Sequence, residues 1–310
     1  SILFFLYRGA FTMIKKYSLW LIAVWIVLAV VPVKSQAVSN DDDDWTDLQE
    51  DFFPNVSYKF WHERPVIEPS YMISMTKHRE LASNALANLG GFDLRLGYAK
   101  KEENKYSKSL VNYTMSNVFI GYNSKDFAFS KPETGSIESS ILRFGFGEKE
   151  GLGYEVANDV SIVPYHATAA LWTRLSVNST PTDSVTANTV NLFNETFRFG
   201  KQAEAGILVQ FTKNSGITLG YEYSVIFPRH LFWYWAGSEI VEGIAQGVTD
   251  NFVRAISKSS PDAAPIVAFI LKNGISYGMY ELRKKNMNWP FNTAPAMSYN
   301  AFKVGVNLAF

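Results

Sequence analysis

Four histidines, His62, His78, His166 and His230, are the side chains best suited to acid–base work near neutral pH. A serine hydrolase needs a hydroxyl, an imidazole and an orienting acid or amide converging on one point. His166 stands in VPYHATAALWTRLS, with Asp159, Ser161, Thr168 and Ser176 close in sequence, and is the one candidate base. No serine here carries a nucleophile motif, so no catalytic residue is assigned beyond that candidate and the chain is read as non-enzymatic. His62 and His78 lie near Glu63 and Glu80, but neither H-x3-H nor HExxH spacing occurs. There is no cysteine, so thiolate metal sites, disulfides and cysteine nucleophiles are absent together, and neither metal nor cofactor is implied. Fixed charges set inside apolar runs are the stronger lead: Asp93, Arg95, Arg143 and Glu222.

Those charges sit on segments that alternate with period two, as half-buried strands do. GGFDLRLGYAK puts Phe92, Leu94, Leu96 and Tyr98 on one face and Asp93, Arg95, Gly97 and Ala99 on the other. ILRFGFGEK sets Leu142, Phe144 and Phe146 against Arg143, Gly145 and Gly147. In EAGILVQFTKNSGITLGYEYSVIF two such runs flank Lys213-Asn214-Ser215-Gly216, a hairpin signal. Further strands are expected over Val66–Thr76, Tyr113–Asn123, Gly153–Val163 and Ala167–Val177.

Long aromatic residues on one face, with glycine, alanine and single charges on the other, describe a membrane barrel better than a soluble sandwich. Tyr98, Tyr122, Phe129, Tyr221 and Phe227 would form interfacial girdles. An arginine facing lipid at mid-membrane costs about 2–4 kcal/mol, so the four charges are expected to face the lumen. Side chains nearly fill the interior of a narrow barrel, so opposite charges there should pair. One segment departs from the rhythm. Between His230 and Asn273, Ile240, Ile244, Val248 and Phe252 recur at helical spacing, and Ser259-Ser260-Pro261 interrupts them. A helical insert over 230–273 is therefore expected.

The N-terminal part reads as an export signal. From Met13, Lys15 and Lys16 precede an apolar run from Leu19 to Val31, Pro32, and the small-residue site Ser35-Gln36-Ala37. The thirteen apolar residues from Leu19 to Val31 fall short of the roughly 20 a spanning helix needs. Residues 1–12 are read as an upstream extension, 13–37 as a signal peptide cleaved near Ala37, and 38–55, with Asp41 to Asp44, as an acidic tail. Cleavage would leave 25 basic against 29 acidic residues, and the whole chain is formally neutral, so nucleic acid is not an expected partner.

The last eight residues, KVGVNLAF, alternate to the final position. They resemble the C-terminal β-signal of bacterial outer-membrane β-barrel proteins, with Lys303, Gly305, Leu308 and Phe310 in its polar, glycine, apolar and terminal aromatic places. The resemblance implies an outer-membrane location in a Gram-negative-type bacterium. It also implies capture of the last strand by the barrel assembly machinery, and closure against the first strand.

The expected architecture is an all-β, antiparallel, up-and-down transmembrane barrel of about ten strands, eight and twelve being the alternatives, over residues 56–310. With Ile275–Arg283 as an ascending strand, Asn286–Ser298 becomes an extracellular loop. The insert then lies on the periplasmic side or inside the barrel. Expected partners are outer-membrane lipid, the assembly machinery, and a small molecule or a periplasmic protein at 230–273. The expected functions are a narrow channel or small-molecule uptake barrel, an anchor whose insert docks a partner, or a lipid-modifying enzyme using His166.

Overall fold

The computed structural model describes residues 63–82, 85–129, 136–177 and 183–310. The upstream extension, the signal peptide and the acidic tail lie outside the described residues. Eight strands follow in order: β1 (Arg64–Lys77), β2 (Leu89–Asn104), β3 (Ser107–Ser124), β4 (Ser139–Ala157), β5 (Val160–Val177), β6 (Phe197–Gln210), β7 (Ser215–Ile226) and β8 (Met297–Ala309). Each pairs antiparallel with the next, and β8 pairs with β1, so the sheet closes into an up-and-down barrel without a free edge.

Eight strands replace the expected ten for two reasons. The central strands are long, up to 19 residues in β4. The helical segment is also larger than its periodicity indicated. Ile275–Arg283 is not a strand but part of a helix, α3 (Ala264–Lys285), which follows the short α1 (Ser184–Asn191) and the long α2 (Phe232–Ser259). Gly153–Val163 is likewise not one strand: it is the end of β4, a two-residue turn and the start of β5. Asp159 holds φ 63 in that turn, a left-handed conformation that Asp and Asn tolerate better than other side chains.

The connections differ by end. Two to four residues join β2 to β3, β4 to β5 and β6 to β7, and Phe310 lies at this same end. Residues 78–88, 125–138, 178–196 and 227–296 join strands at the opposite end. The last of these holds both long helices, so the insert starts and finishes at the end opposite Phe310. That corrects the expectation of an insert on the side of the termini, which depended on a strand at Ile275–Arg283.

Alternation decides what fills the barrel. Val66, Tyr113, Met115, Val163, Tyr165 and Leu208 pack together near the short turns. Met72, Leu89, Ile141, Leu175, Ile226 and Tyr299 pack near the long loops, joined there by Leu86 and Phe193 from two of the loops. Bridges Leu86 to Ile137 and Leu175 to Asn194 draw these loops over the barrel end. Between the two apolar layers lies a layer of charge. Outside, Phe92, Leu96, Val118, Ile120, Phe146, Phe302 and Val304 are exposed, an apolar belt on the bare wall.

The helices are inverted relative to those of a soluble domain. The buried residues of α2 are Ser238, Glu242, Thr249 and Ser257, while Ile240, Ile244, Val248 and Phe252 are exposed. A soluble helix buries its apolar stripe and exposes its polar one. Here α3 lies against the outer wall over β4 to β7, and α2 lies on α3.

Candidate functional site

Two constellations of polar side chains stand out, one inside the barrel and one on its outer wall. Inside, every sequence-predicted charge meets a partner across the lumen. Arg95 of β2 holds Glu204 of β6 with its two terminal nitrogens, at 2.5 and 3.3 Å. Arg143 of β4 forms a bidentate pair with Glu222 of β7, one arm at 2.7 Å. Lys149 of β4 reaches Glu68 of β1 at 2.7 and 2.8 Å. Lys303 of β8 lies 2.6 Å from Asp93 of β2, and 3.3 Å from both Glu204 and Glu222. The shortest contact of each base joins strands that are not neighbours, while Lys303 to Glu222 and Arg95 to Glu68, at 3.3 and 3.6 Å, link adjacent strands. Four bases balance four acids, and each residue is at most 5% exposed.

Aromatic and small residues frame this lattice. The Arg143 guanidinium packs over the Tyr299 ring at 4.6 Å and the Phe119 ring at 5.6 Å, and Lys149 over Tyr165 at 4.5 Å. The Tyr165 hydroxyl donates to Glu204 at 2.6 Å. Its ring crosses the lumen only because residue 206 is glycine. A Cβ there would lie 2.3 Å from the ring.

The sequence signal for this lattice was incomplete. Lys149 continues the Arg143, Gly145, Gly147 face of β4 and was legible by counting in twos. Glu204 and Glu68 stand on strands with weaker alternation, and Lys303 counted only as part of the terminal pattern. Gly305 faces the same side as Lys303, its Cβ position 2.6 Å from the Thr218 hydroxyl. Leu308 and Phe310 point outward.

The second constellation lies where α2 and α3 meet the wall. His166 does not face the lumen; its neighbours Tyr165 and Ala167 do. Ser161, near it in sequence, points inward and donates to Gln210 at 3.0 Å. The hydroxyl that reaches the imidazole comes from α3: Ser276 Oγ lies 3.3 Å from His166 Nε2. Asn273, one helical turn earlier, sets its Oδ1 2.9 Å from His166 Nδ1. The Asn273 amide nitrogen donates to the Phe269 carbonyl at 2.9 Å, which fixes Oδ1 as the atom facing the ring. Nδ1 therefore carries the proton and Nε2 is the acceptor.

Ser276 has other partners. Its one hydroxyl hydrogen faces two acceptors, Glu242 Oε1 at 3.1 Å and His166 Nε2, while its oxygen accepts from Gln246 Nε2 at 3.0 Å. Charges continue the seam in both directions. Towards the long loops, Lys201 of β6 binds Glu239 and lies 2.8 Å from Glu242, and Arg283 binds Glu242 and Ser238. Towards the short turns, Lys272 bridges Glu150 of β4 at 2.7 Å and Asp250 at 2.6 Å. Near the helix junction, the Tyr154 hydroxyl donates to the Asp262 carbonyl at 2.6 Å. Glu150, His166 and Lys201 of the wall thus each meet a polar group of the helices.

The helices also alter the expected aromatic girdle. Tyr98, Tyr122 and Phe129 are exposed, but Phe227 is buried and Tyr221 half-buried beneath α3, where Tyr223, Tyr280 and Met287 join them. No spacing within β5 or β7 reveals this, because the cover arrives from a segment distant in sequence.

No protein-family model and no curated protein matches the sequence. Among solved structures, Neisserial surface protein A is similar over 79% of this chain and 97% of its own, with 12% identity and a TM-score of 0.38. The attachment invasion locus protein Ail of Yersinia pestis is similar over 80% of this chain and 99% of its own, with 11% identity and a TM-score of 0.33. Values this low assign neither a family nor an activity. What the chain itself establishes is an eight-stranded, all-antiparallel, up-and-down barrel carrying a helical hairpin.

Proposed function

We propose that this protein is an exported, non-enzymatic outer-membrane barrel that acts as a closed anchor. The observation that carries the reading is the cross-lumen lattice, with apolar layers above and below it, inside a wall that carries an exposed apolar belt. Side chains of this kind leave an eight-stranded interior no continuous water path. An outward apolar belt is what hydrocarbon requires of a membrane barrel. A narrow channel or uptake barrel needs an open path, and the paired charge lattice favours the anchor. The long loops and the hairpin are then the parts that meet partners.

Fractionation and bilayer recording test the reading together. The protein should accompany the outer membrane and stay silent in a planar bilayer. Steady ion-conducting steps would return the channel reading, and a soluble monomer without detergent would remove the membrane reading.

A second reading, a lipid-directed serine hydrolase, is favoured by one observation: Ser276, His166 and Asn273 stand in the order of a nucleophile–base–orienter relay. Against it, Ser276 is 2% exposed and also engages Glu242 and Gln246. Fluorophosphonate labelling of the folded protein that is lost in Ser276→Ala, with ester turnover lost in His166→Ala, would establish it. Absence of both would leave the relay as packing.

A further inference from the structure

The barrel wall beneath α3 cannot face lipid, because Glu150, His166 and Lys201 all point outward there. In strand register with Lys201, β5 and β4 carry Ala170 and Phe146 on the outer face. The hairpin resolves the conflict locally, since its polar stripe meets the polar wall and the pairing satisfies both. What remains outermost is the opposite stripe of the helices. Ile240, Ile244, Val248 and Phe252 are 54–65% exposed, beside Ile266 and Ile270 of α3. On the bare wall, Val118, Ile120, Phe146 and Val304 are 54–57% exposed. The two surfaces are alike in kind.

The hairpin's ends are marked as well. Trp233 and Tyr234 are exposed where α2 leaves the long-loop end. Lys258 is exposed near the other end, beside the helix junction at Pro261–Ala263, and the adjoining Tyr154 lies three residues from the end of β4. From Ile240 to Ala255 the exposed residues of α2 are uncharged, Asn251 being the one polar side chain among them, over roughly 22 Å at 1.5 Å per residue, with Asp250 and Arg254 half-buried. A membrane barrel has an apolar belt about 25 Å tall, bounded by aromatic and basic residues.

We infer that the α2–α3 hairpin lies inside the bilayer, against the barrel wall, with the Ile240–Phe252 and Ile266–Ile270 faces in contact with lipid acyl chains. This rests on the outer-membrane reading above. The occupant is the hydrocarbon of the membrane rather than a second protein, because the apolar stripe continues the lipid-facing belt and its ends carry interfacial residues. The charged seam then lies at membrane depth, sealed between helix and strand. No helix of the described residues is long and apolar enough to cross a membrane alone. The polar stripe that weakens its hydropathy is the one the wall covers.

The lack of cysteine permits single-site labelling of the full chain. Nitroxide labels at Ile244→Cys, Val248→Cys and Ile270→Cys would be compared with one at Val304→Cys on the bare wall, in phospholipid vesicles. Each hairpin label should be relaxed by oxygen and should lose access to a water-soluble nickel chelate, as the Val304 label does. Nickel access at the hairpin with none at Val304 would overturn the inference while leaving the barrel in the membrane. Nickel access at all four positions would overturn the outer-membrane reading itself. Spin–spin broadening at Ile244 that disappears on dilution with unlabelled protein would assign the face to a second copy, and would also overturn the inference.

Discussion

At the residue scale, the interior works as a set of mutually dependent ion pairs. Taking both partners out of water is unfavourable, and the pairing, with its extra hydrogen bonds, offsets that penalty. Removing one partner leaves the other charge buried and uncompensated. Arg143→Ala should therefore destabilise the folded protein by about 3–5 kcal/mol, measured by denaturant unfolding in detergent micelles. Replacing Arg143 and Glu222 together by methionine should recover most of that loss. The double variant removes the charge that the single variant strands.

At the element scale, the hairpin is a structural necessity of the wall that it covers. Excising residues 232–285 and joining the ends with a short glycine–serine turn should leave a barrel that inserts poorly, because Lys201, Glu150 and His166 would then meet lipid. An uncovered lysine alone is worth about 2–4 kcal/mol near mid-membrane. Replacing all three by leucine in the excised chain should restore insertion, scored as the folded fraction recovered in lipid vesicles. The loops at the same end contain a pH-sensitive contact. Burial against Phe193 holds the His78 imidazole below its ordinary range, against the opposing pull of Glu80. Its Nδ1 accepts the Glu80 N–H at 3.2 Å, so the neutral ring is the folded form. The depressed folded value means that this contribution is present above the unfolded pKa of about 6.5 and is lost as pH falls below it. Amide exchange at Leu81 and Ala85 should accelerate below about pH 6, and His78→Phe should abolish that acceleration.

At the scale of the whole molecule, closure depends on the two ends of the barrel sequence. Val66 pairs with Ala309 and Ile67 with Leu308, and the Phe310 N–H donates to the Pro65 carbonyl at 2.9 Å. The final strand is thus the last place where the sheet could remain open, and an open edge in hydrocarbon leaves backbone groups unsatisfied. Deleting Phe310 should impair membrane insertion far more than synthesis or export, read as protein accumulating in the periplasm rather than in the outer membrane.

Local pattern alone determined the barrel. Period-two alternation at Phe92–Tyr98 or Phe302–Phe310 is written into consecutive residues, and so is the side on which Asp93, Arg95, Arg143 and Glu222 point. The strand number was less legible, because the polar stripe of α3 around Asn273 to Arg283 masks a helix that buries its hydrophilic side. Which charges pair was not legible at all, since Arg95 and Glu204 are more than a hundred residues apart. His166 shows the limit most clearly. Its sequence neighbours suggested a site with Ser161 or Ser176, whereas the closed barrel turns Ser161 inward. Only the folding of α3 across the outer wall brings Ser276 and Asn273 to the ring. Alternation is a property of one strand, but the partner of an outward polar residue is decided by what the rest of the chain lays over it.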